Sequence, residues 1–308
     1  MIDIINIAPQ SSIQDCGRAG YRHLGVTTSG PVDVYAHQLA NLLLANTKDC
    51  ATIELSLGPS ALLFTQTTWI ALTGADFHAH LDGSPVWSGW RTQVFAGQTL
   101  HLRGGQNGMR AYLAVDNGIQ VPLVLGSSST DLIAGFGGFE GRALRAGDKL
   151  SILPSSKALT IKGAYQQPWD NRVRVMKGPE YGAFTPEAQN SFWQQAWHVT
   201  HDSNRMGTRL SGEPLNLAHP LELPSHGVIP GVIQVPPSGQ PIALLADAQT
   251  TGGYPKIAVI CSADLWKLGQ ARAGQTLRVI HVDATQAKAA RNQWQHYFNC
   301  LRSQIDKA

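Results

Sequence analysis

The sequence predicts a mainly β protein with a few helices, an α+β chain built as two barrel-like halves. Three observations carry that expectation. First, 31 glycines and 17 prolines among 308 residues suit strands and turns better than long helices. Second, short apolar or alternating runs recur between Gly, Asp and Pro. Third, a glycine turn feeding an alternating strand occurs at Arg145-Ala-Gly-Asp-Lys-Leu-Ser-Ile152 and again at Arg272-Ala-Gly-Gln-Thr-Leu-Arg-Val279. A further copy, Ala96-Gly-Gln-Thr-Leu100, makes the pattern more than a single duplication. Each half is expected to close into a barrel through such a strand, because closure removes the edges that a strand-rich protein must otherwise protect.

Taken in order, the predicted strands include residues 69–73, 99–102, 110–115, 172–176 and 276–282. Three helices are predicted. Gly30-Pro31 opens the first, with Pro at the first helical position and Val32, Tyr35, Ala36, Leu39 and Leu43 on one face. Thr185-Pro186-Glu187 starts the second, with a capping hydroxyl and an early acid. The last runs from about Ala284 to Gln304, where Ala287, Arg291, Trp294, Phe298, Leu301 and Ile305 keep helical spacing, a stripe that packs on its own domain or, as the alternative, meets a partner. A polar, turn-rich stretch between Pro154 and Trp169 reads as a seam, which gives an N-terminal domain over residues 1–155 and a C-terminal domain with the terminal helix over 165–308.

Composition narrows the function. A formal charge of +3, with Lys and Arg scattered, does not make a nucleic-acid surface. No apolar run approaches the roughly 20 residues that span a bilayer, and the start Met1-Ile-Asp-Ile-Ile lacks the marks of a signal peptide. Cys16, Cys50, Cys261 and Cys300 lie far apart with no C-x-x-C pair, so free thiols in a reducing cytoplasm are expected. Cys16 sits in a turn between Asp15 and Arg18 as a possible nucleophile, but no base is identifiable beside it. His78-x-His80 and His198-x-x-His201 are close-spaced and lack a third ligand, so no metal site is predicted.

The densest chemistry lies in Asp247-Ala-Gln-Thr-Thr-Gly-Gly-Tyr-Pro255, between two apolar strands. It joins an acid, an amide, two hydroxyls, two glycines and a phenol on one loop, where binding groups concentrate. Asp247 is the candidate base; Gln249, Thr250, Thr251, Gly252 and Tyr254 are candidate substrate contacts. The plainer alternative is a turn that closes a hairpin. Ser203-Asn-Arg-Met-Gly207 adds Asn204 as a contact and Arg205, either a clamp for a carboxylate or phosphate or a tie between loops. His226 is a second acid–base candidate or a satisfied turn histidine. Asp15 and Arg18 either pair across a glycine turn or share an anion site, and Asp131 after Ser127-Ser-Ser-Thr130 is either a cap or part of an anion nest.

These motifs have a known order. Gln14-Asp-Cys-Gly-Arg18, Gly25-Val-Thr-Thr-Ser-Gly-Pro-Val-Asp33, Leu72-Thr-Gly-Ala-Asp76, Gly126-Ser-Ser-Ser-Thr-Asp131, Gly178-Pro-Glu-Tyr181, Ser203-to-Gly207, Ser225-His-Gly-Val-Ile-Pro-Gly-Val-Ile-Gln-Val-Pro236 and the 247–255 loop follow one another. In that order the chain resembles the allophanate hydrolase subunit 2 family, also called biotin-dependent carboxyltransferase-like proteins, and within it the branch of bacterial 5-oxoprolinase C subunits. Val115-Asp-Asn-Gly118 departs from the family's glycine-rich reading there. The resemblance implies two cyclophilin-like barrels. It also implies one part of an ATP-dependent complex, using Mg²⁺, that converts 5-oxo-L-proline to L-glutamate. The implied partners are an allophanate hydrolase subunit 1-type subunit and a lactam-hydrolase subunit. Two other roles known in the family are the carboxyltransferase component of a urea carboxylase-like system and a regulator that antagonises a kinase inhibitor.

An amide is a poor electrophile because its nitrogen donates into the carbonyl. Opening or carboxylating it requires donors around the developing oxygen charge and a base near the nitrogen. The residues of the 203–207 and 247–255 motifs supply those types and are expected to meet in one cleft. No G-x-x-x-x-G-K-[ST] loop is present, so an ATP site has another design or is shared with a partner. Met176-Lys-Gly178 lacks the second methionine of a biotin acceptor, so no covalent biotin is expected on this chain.

Overall fold

The computed structural model describes every residue except Gln106, Ser156, Asp306, Lys307 and Ala308. Two compact units emerge. One comprises Met1–Arg18, Ser29–Pro168 and Tyr297–Ala308; the other comprises Ala19–Thr28 and Trp169–His296. Two segments thus fall outside a linear division of the chain, the 19–28 loop and the end of the last helix.

The first unit is built on two open antiparallel sheets. Seven strands run in the order Ile119–Gln120, Lys149–Ile152, Ile2–Asn6, Ser60–Phe64, Thr99–Leu102, Ala79–Leu81 and Ser84–Val86. Six run in the order Lys162–Gly163, Trp90–Val94, Thr68–Gly74, Arg110–Val115, Thr52–Ser56 and Ser12–Gln14. A single core joins them, with Ile4, Leu62, Phe64 and Leu100 from one sheet and Ile53, Leu55, Ile70 and Leu113 from the other. Among the described residues the barrel expected in this half is not closed, and both sheets are open. Its sheets end instead in strands of two or three residues, and such short edges offer little backbone for further pairing.

Helix α1, Val34–Leu43, packs on the six-stranded sheet, where Thr73 Oγ1 donates to Ala36 O at 2.7 Å. It begins three residues later than Gly30-Pro31 suggests. The Val32 N–H is taken by Glu54 Oε2 at 3.0 Å, and Asp33 accepts from Ala36 N at 2.9 Å as the cap.

The second unit contains the closed barrel. Its order is Arg172–Lys177, Lys256–Ile260, Val232–Gln234, Ile242–Leu244, Gly207–Ser211, Trp197–Val199 and Thr276–His281. Thr276–His281 pairs in parallel with Arg172–Lys177 and so completes the ring. Helix α2, Pro186–Gln194, starts where Thr185 Oγ1 accepts from Ala188 N at 3.1 Å, and it buries Phe192. A short helix not predicted from sequence, α3 over Leu265–Gln270, is anchored beside the barrel. There Arg174 donates to both oxygens of Asp264 at 2.8 and 2.6 Å. Helix α4 spans Ala284–Ile305. Its last part belongs to the first unit, where Phe298 stacks on Tyr35 with ring centroids 6.3 Å apart.

The three glycine turns share one geometry. Gly97, Gly147 and Gly274 have φ of 90°, 90° and 86°, in the left-handed region that favours glycine. The next side chain closes each turn: Gln98 accepts from Phe95 N at 2.9 Å, Asp148 from Arg145 N at 2.8 Å and Gln275 from Arg272 N at 2.8 Å.

Candidate functional site

The 247–255 loop does not close a hairpin. Strands Ile242–Leu244 and Lys256–Ile260 are separated in the barrel by Val232–Gln234, so the loop must cross that intervening strand. On its way, Thr251–Gly252 pairs with His226–Gly227 as a small two-stranded sheet. Beside it opens a cavity of about 500 Å³, lined among others by Asn204, Arg209, Gln234, Gln240, Gln249 and Tyr254. Its volume is that of a small-molecule site.

The two motifs expected to converge do so through Arg205 and Asp247. Arg205 Nε donates to Asp247 Oδ2 at 2.7 Å and Nη2 to Oδ1 at 3.0 Å. Arg205 O also accepts from Asp247 N at 3.0 Å. Both residues are buried, at 4% and 1% exposure, so the guanidinium and the carboxylate face each other rather than the cavity. A bidentate pair of this kind fixes two loops in register. Around it Asn204 is exposed at the cavity, its Oδ1 accepting from Met206 N at 2.8 Å. Gln249 is half-buried and Tyr254 is exposed, both in the lining. Thr250 holds the loop through its carbonyl, which accepts from Val228 N at 3.0 Å, while Thr251 is exposed.

His226 is half-buried and belongs to a polar relay. Its Nδ1 lies 2.9 Å from Pro224 O and its Nε2 lies 2.7 Å from Lys256 Nζ. A carbonyl only accepts and an ammonium only donates, so Nδ1 carries the proton and Nε2 accepts, which makes the ring neutral. Lys256, 6% exposed, is neutralised by Glu180 Oε2 at 2.9 Å. Gln234, Lys256, Glu180 and Arg22 were not singled out from sequence. The one signal was an amide inside the apolar run Val232-Ile-Gln-Val235, at a position that the fold buries.

Asp15 and Arg18 fall in the first unit and are buried there. Asp15 Oδ1 accepts from Gly17 N, Ser127 Oγ and Ser129 Oγ at 2.8, 2.6 and 2.7 Å, and its Oδ2 accepts from Ser128 N. Arg18 donates to Ser29 Oγ at 3.0 Å and to Ser129 O, and lies over the Phe136 ring at 4.7 Å. Both clasp the serine run. Asp131 closes a turn, accepting from Ala134 N at 2.9 Å.

Cys16 has an imidazole near it, since His37 Nε2 lies 4.0 Å from its Sγ. The two do not form a nucleophile and base. Both point at Lys48 O, at 2.9 Å for the imidazole and 3.1 Å for the thiol, so His37 Nε2 is a donor and has no lone pair for the thiol proton. Burial pushes the thiol up to about 12 and lowers the imidazole. Of the spaced histidines, His80 stacks on His101 with centroids 5.2 Å apart. Among the described residues no group of three or more His, Cys, Asp or Glu is placed to hold a metal ion.

The match to the family described as carboxyltransferase domain, subdomain A and B, covers residues 24–280, and the chain belongs to that family. It is therefore a carboxyltransferase-domain enzyme, related both to 5-oxoprolinase C subunits and to urea carboxylase-type proteins. It is 45% identical to the 5-oxoprolinase C subunit of Escherichia coli over 98% of this chain and 97% of that one. It is 41% identical to the protein of the same name from Haemophilus influenzae, over 100% and 99%. The crystal structure of the Kluyveromyces lactis urea carboxylase superposes with a TM-score of 0.90 at 28% identity. That match covers 97% of this chain but 29% of the yeast protein. No helix among the described residues is long and apolar enough to cross a membrane.

Proposed function

We propose that the chain is the C subunit of an ATP-dependent 5-oxoprolinase complex that converts 5-oxo-L-proline to L-glutamate. The observation that carries this reading is end-to-end similarity to two proteins of that name, at 45% and 41% identity. The lactam sits in the barrel cavity, with Asn204, Gln249 and Tyr254 as polar contacts and the 250–252 backbone as its rim. His226 is not among the residues that line this cavity, and both its ring nitrogens are engaged, by Pro224 O and Lys256 Nζ, so its role is to position the loop rather than to move the lactam proton. Arg205 and Asp247 hold the two contributing loops in place, in the role of positioning residues. The four cysteines are free thiols, which suits a cytoplasmic location.

ATP with Mg²⁺ belongs to this reading as a property of the complex. Within this chain the nearby ions are engaged, Asp247 by Arg205 and Lys256 by Glu180 and His226. The partners are a subunit of the allophanate hydrolase subunit 1 type and a lactam-hydrolase subunit. The test is reconstitution, with glutamate and ADP measured as each subunit is omitted in turn. Both products require this chain if the reading holds. If it can be left out without loss, the chain is a regulatory binding protein instead.

A further inference from the structure

One buried donor in the cavity wall is not taken up by any described group. Gln234 is 1% exposed and lines the cavity, and its Nε2 has no acceptor among the described residues. Gln249 Nε2 donates to Gln234 Oε1 at 3.3 Å, which engages the oxygen and leaves the N–H groups to face away from Gln249. Gln249 is held in turn by Arg22, whose Nη2 donates to Gln249 O at 3.1 Å and to Val228 O. On the other side, a Cβ at Gly252 would lie 2.7 Å from Gln234 Nε2. Glycine at that position leaves room beside the buried amide nitrogen, which any larger residue would crowd.

An unmet buried donor is costly, and a ligand acceptor restores the missing bond. We propose that Gln234 is the specificity-determining residue of the cavity, donating its amide N–H to the carbonyl oxygen of a small amide or lactam. A neutral donor suits an uncharged carbonyl, and the flanking Gln249 and Tyr254 are neutral as well. The choice of a lactam rests on the function proposed above; the position of the donor does not.

Isothermal titration calorimetry on the full-length chain with 5-oxo-L-proline, L-proline and urea separates the two claims. L-Proline keeps the ring and carboxylate but lacks the lactam carbonyl. Wild type should bind 5-oxo-L-proline about tenfold or more tighter than L-proline, and Gln234→Glu and Gln234→Leu should remove that preference. Gly252→Ala and Gln249→Ala should weaken 5-oxo-L-proline similarly while leaving Gln234 in place, which guards against a misfolded Gln234 variant. Equal affinities in wild type and Gln234→Glu overturn the inference and leave the 5-oxoprolinase reading standing. Binding of urea alone, lost in Gln234→Glu, sustains Gln234 and overturns the 5-oxoprolinase reading. No binding of any of the three by wild type overturns the inference.

Discussion

Arg205 and Asp247, 42 residues apart, face each other through two near-parallel hydrogen bonds of 2.7 and 3.0 Å in a buried setting. Sequence alone offers both as chemistry, one as a clamp and the other as a base. Their mutual grip engages both carboxylate oxygens, and it ties the loop after Val199 to the loop after Leu244.

Breaking that grip should first be a stability event. Arg205→Ala leaves a buried carboxylate unpaired and is expected to lose about 3–5 kcal/mol. Urea unfolding followed by circular dichroism reads this directly. A variant with wild-type stability and lost activity would return Arg205 to substrate contact.

The thiol of Cys16 should be unreactive in the folded chain. Burial, with Asp49 and Asp15 adding to it, holds its pKa at about 12, so almost no thiolate exists at neutral pH. Iodoacetamide at pH 7.5 should label the exposed Cys300 and leave Cys16 unmodified until the chain is unfolded, as read by peptide mass mapping. Cys16→Ser should keep activity in the reconstituted complex.

Acid should destabilise the first unit through His37. Burial lowers its pKa in the folded state below the ordinary value of about 6.5. As pH falls through that ordinary value, the unfolded chain takes up a proton that the folded chain refuses, so this contribution is present above pH ~6.5 and lost below it. The slope is at most about 1.4 kcal/mol per pH unit for one proton. The urea midpoint of wild type should drop between pH 7.5 and 5.5 by more than that of His37→Asn.

Biotin should not be found on Lys177, and the missing methionine should not be restorable. A Cβ at Gly178 would lie 2.2 Å from Lys256 O and 2.8 Å from Ala258 N, against a neighbouring barrel strand. Gly178→Met is therefore expected to destabilise the barrel rather than create an acceptor. Intact mass and a streptavidin blot of wild type and variant, made in a biotin-replete host, test both halves.

The sequence by itself determined the strand-rich class, the strands near 69–73, 99–102, 110–115, 172–176 and 276–282, the α2 cap at Thr185, the three glycine turns and the family. Each of these is written locally, in alternation, in a capping hydroxyl, in the need for a positive φ, or in a motif order. Tertiary structure alone decided which sheets close. Parallel pairing of Thr276–His281 with Arg172–Lys177 seals one barrel, whereas two- and three-residue edge strands leave the other unit open. It also decided which polar residues line the cavity and which pair with one another. Asp247 and Arg205 look reactive on a sequence but neutralise each other once a 42-residue separation is folded away. Gln234 looks like a slip in an apolar strand until Gln249 engages its oxygen and Gly252 leaves room beside its nitrogen. Partnering of buried polar groups depends on contacts distant in sequence, so no local pattern records it.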